Sequence, residues 1–527
     1  MKNKLDKFLS ISGFNAIFII IRTITLMILL WLATRYLGPE KFGEYSYCVI
    51  VVEILILFTS LGISNTIPRY FAEFASQGNL QEAKAVLSMV FRLKLILMAI
   101  VCFSFLMIHE SLPGASSFHL SNEIVWLIIF TVLIGSIEDV FQNMVDGLLQ
   151  NRFKLYVYSI SAILRISLIY FLISRYPTVS FMLRIGVLFS FSTSLVYFIY
   201  NRKFVSFDLT LKISRENAQR VKNAIGYQSL TAILLFIIWQ RSELFFLKHY
   251  SSSLELGLYS FAFSLTSRLV RFVPSFFIGV LIPFLSHLES RDDLNMTYYY
   301  LSKYMIIIGF YIATCAFVIT ALAVNSIWGA DYKNAIILCQ IMLFSTAIAQ
   351  ISNIGGAVMQ RLDKQKVNFF ISLIVAITDI VLSLWLIPKY HALGAAAANS
   401  ITQILLMVLI LVYFTFILWR KFPWRCLLSL SLLSGFFVIF YARVGGDILN
   451  NVSIWISIIH HSGFLISYSL CFLLVVKLTN VLDETDTKIL ERIASKLPGL
   501  PTSWIRRLSR FIVPNRFQNE TPEFTRR

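Results

Sequence analysis

The sequence predicts an all-α integral membrane protein. About fourteen transmembrane helices are expected, as two six-helix lobes in a parallel repeat plus two extra C-terminal helices. Three observations predict it. Of 527 residues, 57% are apolar and only 14% charged, whereas soluble domains carry nearer a quarter. The apolar residues gather into stretches of roughly 20, the length that crosses a bilayer. Two segments also recur at a nearly constant offset along the chain.

Taken in order, the spans run over 11–32, 45–62, 86–108, 123–145, 155–174, 179–200, 224–247, 257–281, 298–323, 335–358, 367–387, 395–418, 426–444 and 452–476. The first follows Lys2, Lys4 and Lys7, is interrupted by Arg22 and has no small-residue cleavage site. It therefore reads as an uncleaved helix. Basic residues then mark alternate connections: Arg69 and Lys84, Arg152 and Lys154, Arg202 to Lys222, Arg291, Arg361 to Lys366, Arg420 to Arg425, and the tail. The opposite connections hold few: Arg35, Lys41, Arg175, Lys248, Lys333, Lys389 and Arg443. The positive-inside rule places both termini in the cytoplasm and the protein in the cytoplasmic (inner) membrane. The net charge of +18 thus reports topology, not nucleic-acid binding. Six cysteines lie in apolar spans without metal-ligand spacing and read as small buried hydrophobes.

Residues 36–47 and 250–261 share a pattern at an offset of 214: a Tyr seven residues before a Gly, then x-Tyr-Ser-aromatic. Residues 147–150 echo 357–360 at an offset of 210. Six spans return a chain to its starting side, so the two halves are expected to share one orientation, with a site between them. The expected divisions are an N-lobe over 1–200, a cytoplasmic linker over 201–223, a C-lobe over 224–418, two further spans within 419–476, and a basic tail over 477–527. In the tail, Trp504, Leu508, Phe511 and Ile512 share one side of a short helix whose arginines suit an anionic membrane surface. A disordered basic end is the alternative.

Charges within the spans are costly in hydrocarbon and usually face the bundle interior or a wet cavity. They fall into polar stripes of helical period: Ser12, Asn15, Arg22, Thr25 in span 1; Thr131, Gly135, Glu138, Gln142 with Asp139 in span 4; Ser264, Arg268, Arg271, Ser275 in span 8; Asn368, Ser372, Asp379, Ser383 in span 11. Many helices with inward charges and little outside the membrane point to a transporter. Arg184, Arg241 and Glu243 lie toward span ends, where snorkelling to the interface explains them. His460 and His461 are read as hydrogen-bonding within the bundle in preference to relaying protons. Tyr298, Tyr299 and Tyr300 are read as interfacial anchors.

Residues 32–45, Leu-Ala-Thr-Arg-Tyr-Leu-Gly-Pro-Glu-Lys-Phe-Gly-Glu-Tyr, followed by Leu-Gly-Ile-Ser-Asn at 61–65, resemble the opening of Wzx-type polysaccharide flippases of the multidrug/oligosaccharidyl-lipid/polysaccharide exporter superfamily. Trp-Gly-Ala-Asp-Tyr at 328–332 and the loop at 387–396 resemble the same family, with His391 where a Gly is usual. The resemblance spans roughly residues 5–480. It implies a flippase for an undecaprenyl-pyrophosphate-linked glycan, working by alternating access, with membrane lipids and glycan polymerase or ligase proteins as partners. For such a cargo, Arg22, Arg165, Arg268 and Arg271 are the candidate pyrophosphate ligands, because a guanidinium stays protonated and binds phosphate oxygens through two donors. Glu53, Glu138, Asp139 and Asp379 are candidates to balance those arginines or to bind a coupling H+ or Na+. No cofactor is expected.

A peptidoglycan lipid-precursor flippase or a small-molecule exporter of the same fold is the nearer alternative, and a membrane-embedded polysaccharide polymerase the one from another class. The chain has no Walker motif, no HExxH and no convincing catalytic triad, and it lacks the large loops that membrane polymerases use. An enzyme is therefore not expected.

Overall fold

The computed structural model describes residues 2–61, 67–71, 73–74, 77–111, 120–148, 150–202, 214, 217, 219, 229–230, 232–239, 242–286, 291–362, 364–418, 421–445, 454–483 and 486. They are nearly all helical, with no strand among them. The helices are α1 (Lys2–Ser60), α2 (Leu80–Ser111), α3 (Asn122–Gly147), α4 (Asn151–Leu172), α5 (Val179–Asn201), α6 (Glu243–Tyr250), α7 (Ser253–Ser286), α8 (Arg291–Ala323), α9 (Ala335–Arg361), α10 (Gln365–Val412), α11 (Trp424–Gly445) and α12 (Ile454–Leu478). Ten stretches among the described residues are long and apolar enough to cross a membrane. The expected linker and tail fall mostly outside the described residues, as do the side chains of Ser12 and Asn15.

Two of those stretches, Ile17–Ser60 and Gln365–Phe416, are 44 and 52 residues long, enough for two crossings each. Each is broken where the sequence separates two spans. In α1 the break is Gly38, at φ 71° and ψ 172°, followed by Pro39. Glycine takes that backbone conformation without steric cost, and proline lacks the N–H that would continue the helix. In α10 the break is His391, at φ 50° and ψ −126°, a left-handed value unusual for a residue with a side chain. The Ser251 hydroxyl lies 3.0 Å from its Nδ1, and the next N–H, of Ala392, donates to Glu255 at 3.2 Å.

The buried apolar residues form three cores. One is drawn only from residues 67–197 and another only from 234–481. The third mixes Leu30–Val52 and Ile169–Ile185 with Leu244–Leu265, Val324–Met342 and Ile387–Ala396. The two halves are thus fused at the end carrying the breaks and build separate cores toward the end carrying the N-terminus. The contact that fuses them follows the sequence repeat. A Cβ added to Gly43 would meet the carbonyl oxygen of Ser253 at 2.3 Å, and one added to Gly257 would meet that of Pro39 at 1.8 Å. Gly43 and Gly257 are 214 residues apart, as are Pro39 and Ser253. Each residue touches the repeat mate of the other's neighbour, which is how a self-complementary two-fold contact is made. Around this crossing, Trp328 Nε1 donates to Thr34 Oγ1 at 2.7 Å and Phe261 packs edge-on against Trp328.

Helices α11 and α12 pack against α8. The Tyr441 hydroxyl donates to the carbonyl of Val318, and that of Tyr468 to the carbonyl of Phe310. Leu428, Leu432, Phe436 and Ile439 on the outer side of α11 are exposed, as a lipid-facing surface requires.

Candidate functional site

Arg22 on α1 and Arg268 on α7 lie 16 and 15 residues from Gly38 and Ser253, the fused end of their helices. At 1.5 Å per residue both sit about 22–24 Å below it. They come together there. The phenol of Tyr158, on α4, lies in the field of Arg22, Arg165 and Arg268 at once. Its ring packs edge-on against Phe18 at 5.2 Å. Arg22 is exposed, Arg165 and Arg268 half-buried, so the cluster borders open space. Neither Arg22 nor Arg165 has a salt bridge to a described carboxylate, and Arg165 Nε has no hydrogen-bond partner. The fourth predicted arginine is elsewhere. Arg271 stacks over the Trp239 ring at 4.8 Å, and its Nε and one terminal nitrogen have no partner.

The predicted carboxylates separate into three environments. Glu138 accepts from Thr193 on α5 at 2.6 Å and faces Arg165, so it stands beside the arginine cluster. Asp139 does not. It is bound by Lys94 of α2 at 2.5 Å and by Asn143 at 2.9 Å, and the Lys94 ammonium also donates to Ser60 at 3.2 Å. Asp139 is therefore the counter-ion of a lysine within its own half, not of the cavity arginines. Glu53 is half-buried on the second part of α1.

Asp379 on α10 is 1% exposed and accepts from Ser242 at 2.9 Å and from Thr402 at 3.1 Å. Beside it lies Glu243, with no exposure at all, which accepts from Asn399 Nδ2 at 2.7 Å and interacts with the Tyr259 hydroxyl. Gln403 in turn donates to Asn399. No described cation pairs with either carboxylate. Two negative charges buried in a shell of neutral donors would repel strongly, which makes this pair a candidate to hold a shared proton or a bound cation. The snorkelling expected of Glu243 is overturned: α6 begins at Glu243, and its side chain is fully buried.

Arg184 pairs with Glu123 at 2.7 Å with both side chains exposed. His461 is buried and shares a 2.8 Å hydrogen bond with Tyr441, the bundle role expected of it.

Residues 12–289, just over half of the chain, match the family described as Polysaccharide biosynthesis protein. The chain belongs to this family. It is 21% identical over 427 residues to the capsular polysaccharide biosynthesis protein CapF of Staphylococcus aureus, a match covering 76% of this chain and 97% of the relative. Among solved structures, lipid II flippase MurJ in an inward closed conformation superimposes with a TM-score of 0.64 at 16% identity, covering 86% of this chain and 98% of that one. An inward-facing multidrug resistance MATE family transporter of the MOP superfamily gives 0.57 at 16% identity, covering 78% and 95%. The fold of this polysaccharide biosynthesis protein is therefore the one shared by those transporters.

Proposed function

We propose that the protein is a flippase carrying a polyprenyl-pyrophosphate-linked oligosaccharide across the cytoplasmic membrane by alternating access. One observation carries this reading: guanidinium groups from three helices and both halves of the chain converge at one depth, beneath the fused end. Converging arginines suit a pyrophosphate, whose oxygens accept paired donors and whose charge needs neutralising away from water. A cationic drug would be repelled by the same cluster. With both termini cytoplasmic, as the basic connections indicate, the halves part toward the cytoplasm and the cargo head group enters from there.

The Glu243–Asp379 pair is the proposed coupling site for H+ or Na+. Movement of one charge through the membrane field supplies about 2.3 kcal/mol per 100 mV. Polymerase or ligase proteins that take up the delivered glycan are the expected partners. A second reading, a peptidoglycan lipid-precursor flippase, draws support from the near-complete coverage of MurJ; its cargo shares the pyrophosphate and differs in the sugar.

Purified protein in liposomes, given defined polyprenyl-linked sugars, tests both. Arg22→Ala and Arg268→Ala are each expected to cut translocation at least tenfold at unchanged protein level. Wild-type rates in the Arg22→Ala/Arg165→Ala/Arg268→Ala variant would overturn the clamp, and transport of only the muramyl-peptide lipid would select the second reading.

A further inference from the structure

Lys303 on α8 is 1% exposed, and its ammonium donates to Asp486 at 2.6 Å with Asp483 at 3.5 Å. Asp486 has no exposure. Both aspartates lie beyond α12, in the chain that follows the last membrane helix. Tyr304 donates to Asp486 at 2.6 Å and Tyr300 to Asp483 at 3.0 Å. The rings of Tyr299, Tyr300 and Tyr304 surround the ammonium, with the Tyr300 centroid at 4.5 Å. The two aspartates also cap each other: the Asp486 N–H donates to Asp483 Oδ1, and the Asp483 N–H to Asp486 Oδ2. Burial pushes the Asp486 carboxyl up. For Asp483, burial acts the same way but is outweighed by Lys303 and the Asp486 N–H, which hold it below the usual carboxylate range.

The repeat explains why this site exists. Lys303 stands 209 residues on from Lys94, within one residue of the place that the offset of 210 gives on the matching helix. Lys94 finds its carboxylate, Asp139, on the next helix of its own half. At the offset of 210 that relates 147–150 to 357–360, Asp139 matches Ala349, a fully buried residue without charge, and the adjacent Gln350 is a buried neutral side chain that donates to its own helix at Thr346. Among the described residues, the second half thus buries a lysine with no carboxylate at that place, and the chain beyond α12 brings one in. The other polar contacts that hold α11 and α12 on α8 are between neutral groups.

We propose that Lys303, Tyr300 and Tyr304 form a carboxylate-receiving socket whose built-in ligand is the segment after α12, and that this segment straps the last two helices to the second half of the transporter. The strap does not depend on what the protein carries.

The test uses the full chain purified in detergent. Asp486→Ala should lower the thermal unfolding midpoint by about 5 °C or more and speed proteolysis just after Leu478 at least tenfold, and Asp486→Asn should do the same more mildly. In Lys303→Met/Asp486→Ala the midpoint should recover while proteolysis stays fast, because the orphaned ammonium is gone but the segment is still released. Unchanged proteolysis in Asp486→Ala, or a double variant no more stable than Asp486→Ala alone, overturns the proposal.

Discussion

In the first half of the molecule the carboxylate of Asp139 lies 2.5 Å from a lysine ammonium; in the second, Glu243 and Asp379 share a closed shell of hydroxyls and amides with no described cation. The two halves share one pattern and meet through repeat-related residues, yet these two carboxylate sites differ. A paired carboxylate has one stable protonation state and serves the architecture. An unpaired couple has at least two states that differ by a proton or an ion, which is what a driven cycle needs. The second half also holds a paired charge, Lys303 with Asp486, so the contrast lies between these two carboxylate sites and not between whole lobes.

The crossing at Gly43 and Gly257 offers the most severe way to break the comparison. Leucine at either position drives a side chain into backbone, where relaxation is poor, at a cost of roughly 3 kcal/mol or more. Export should fall to background in both variants. If the contact is truly two-fold, both should lower the unfolding midpoint by similar amounts; a large inequality would show that the halves are not equivalent there.

The charge contrast predicts opposite signs for one chemical change. Asp139→Asn leaves the Lys94 ammonium buried without its counter-ion and should cost about 2 kcal/mol, a figure reduced because the Asp139 side chain is 29% exposed. Asp379→Asn removes repulsion and should leave stability unchanged or higher, while abolishing the dependence of transport on an imposed H+ or Na+ gradient. Thermal unfolding of the two variants side by side, with flux under each gradient, decides it. Equal destabilisation would remove the distinction drawn here. The smallest effect is expected at the fused end: Trp328→Phe keeps the aromatic contact with Phe261 but loses the hydrogen bond to Thr34, costing about 1 kcal/mol and shifting the unfolding midpoint by a few degrees.

Much of this was legible in the chain. Stretches of apolar residues gave the helices, and the offset of 214 led to the pair of glycines at the crossing. The stripe Ser372, Asp379, Ser383 does lie buried in the bundle, because helical period alone decides which face turns from lipid. Other features depend on contacts that no local spacing encodes. Lys94 and Asp139 are 45 residues apart, and Lys303 and Asp486 are 183 apart, so neither pair announces itself. Glu243 reads as peripheral because it lies near a span end, whereas its side chain is fully buried. Tyr158 lies among aromatic residues that composition assigns to the interface, and only the arrival of Arg268 from the other half marks it out.

The reach of Lys303 to Asp486 also sets an order of assembly. Membrane helices enter the bilayer as they leave the ribosome, so α8 is inserted long before its counter-ion has been synthesised. During that interval the lysine must stay hydrated or near lipid phosphates, and the bundle around it stays loose. Completion of the second half is thereby deferred until the segment after α12 has been made.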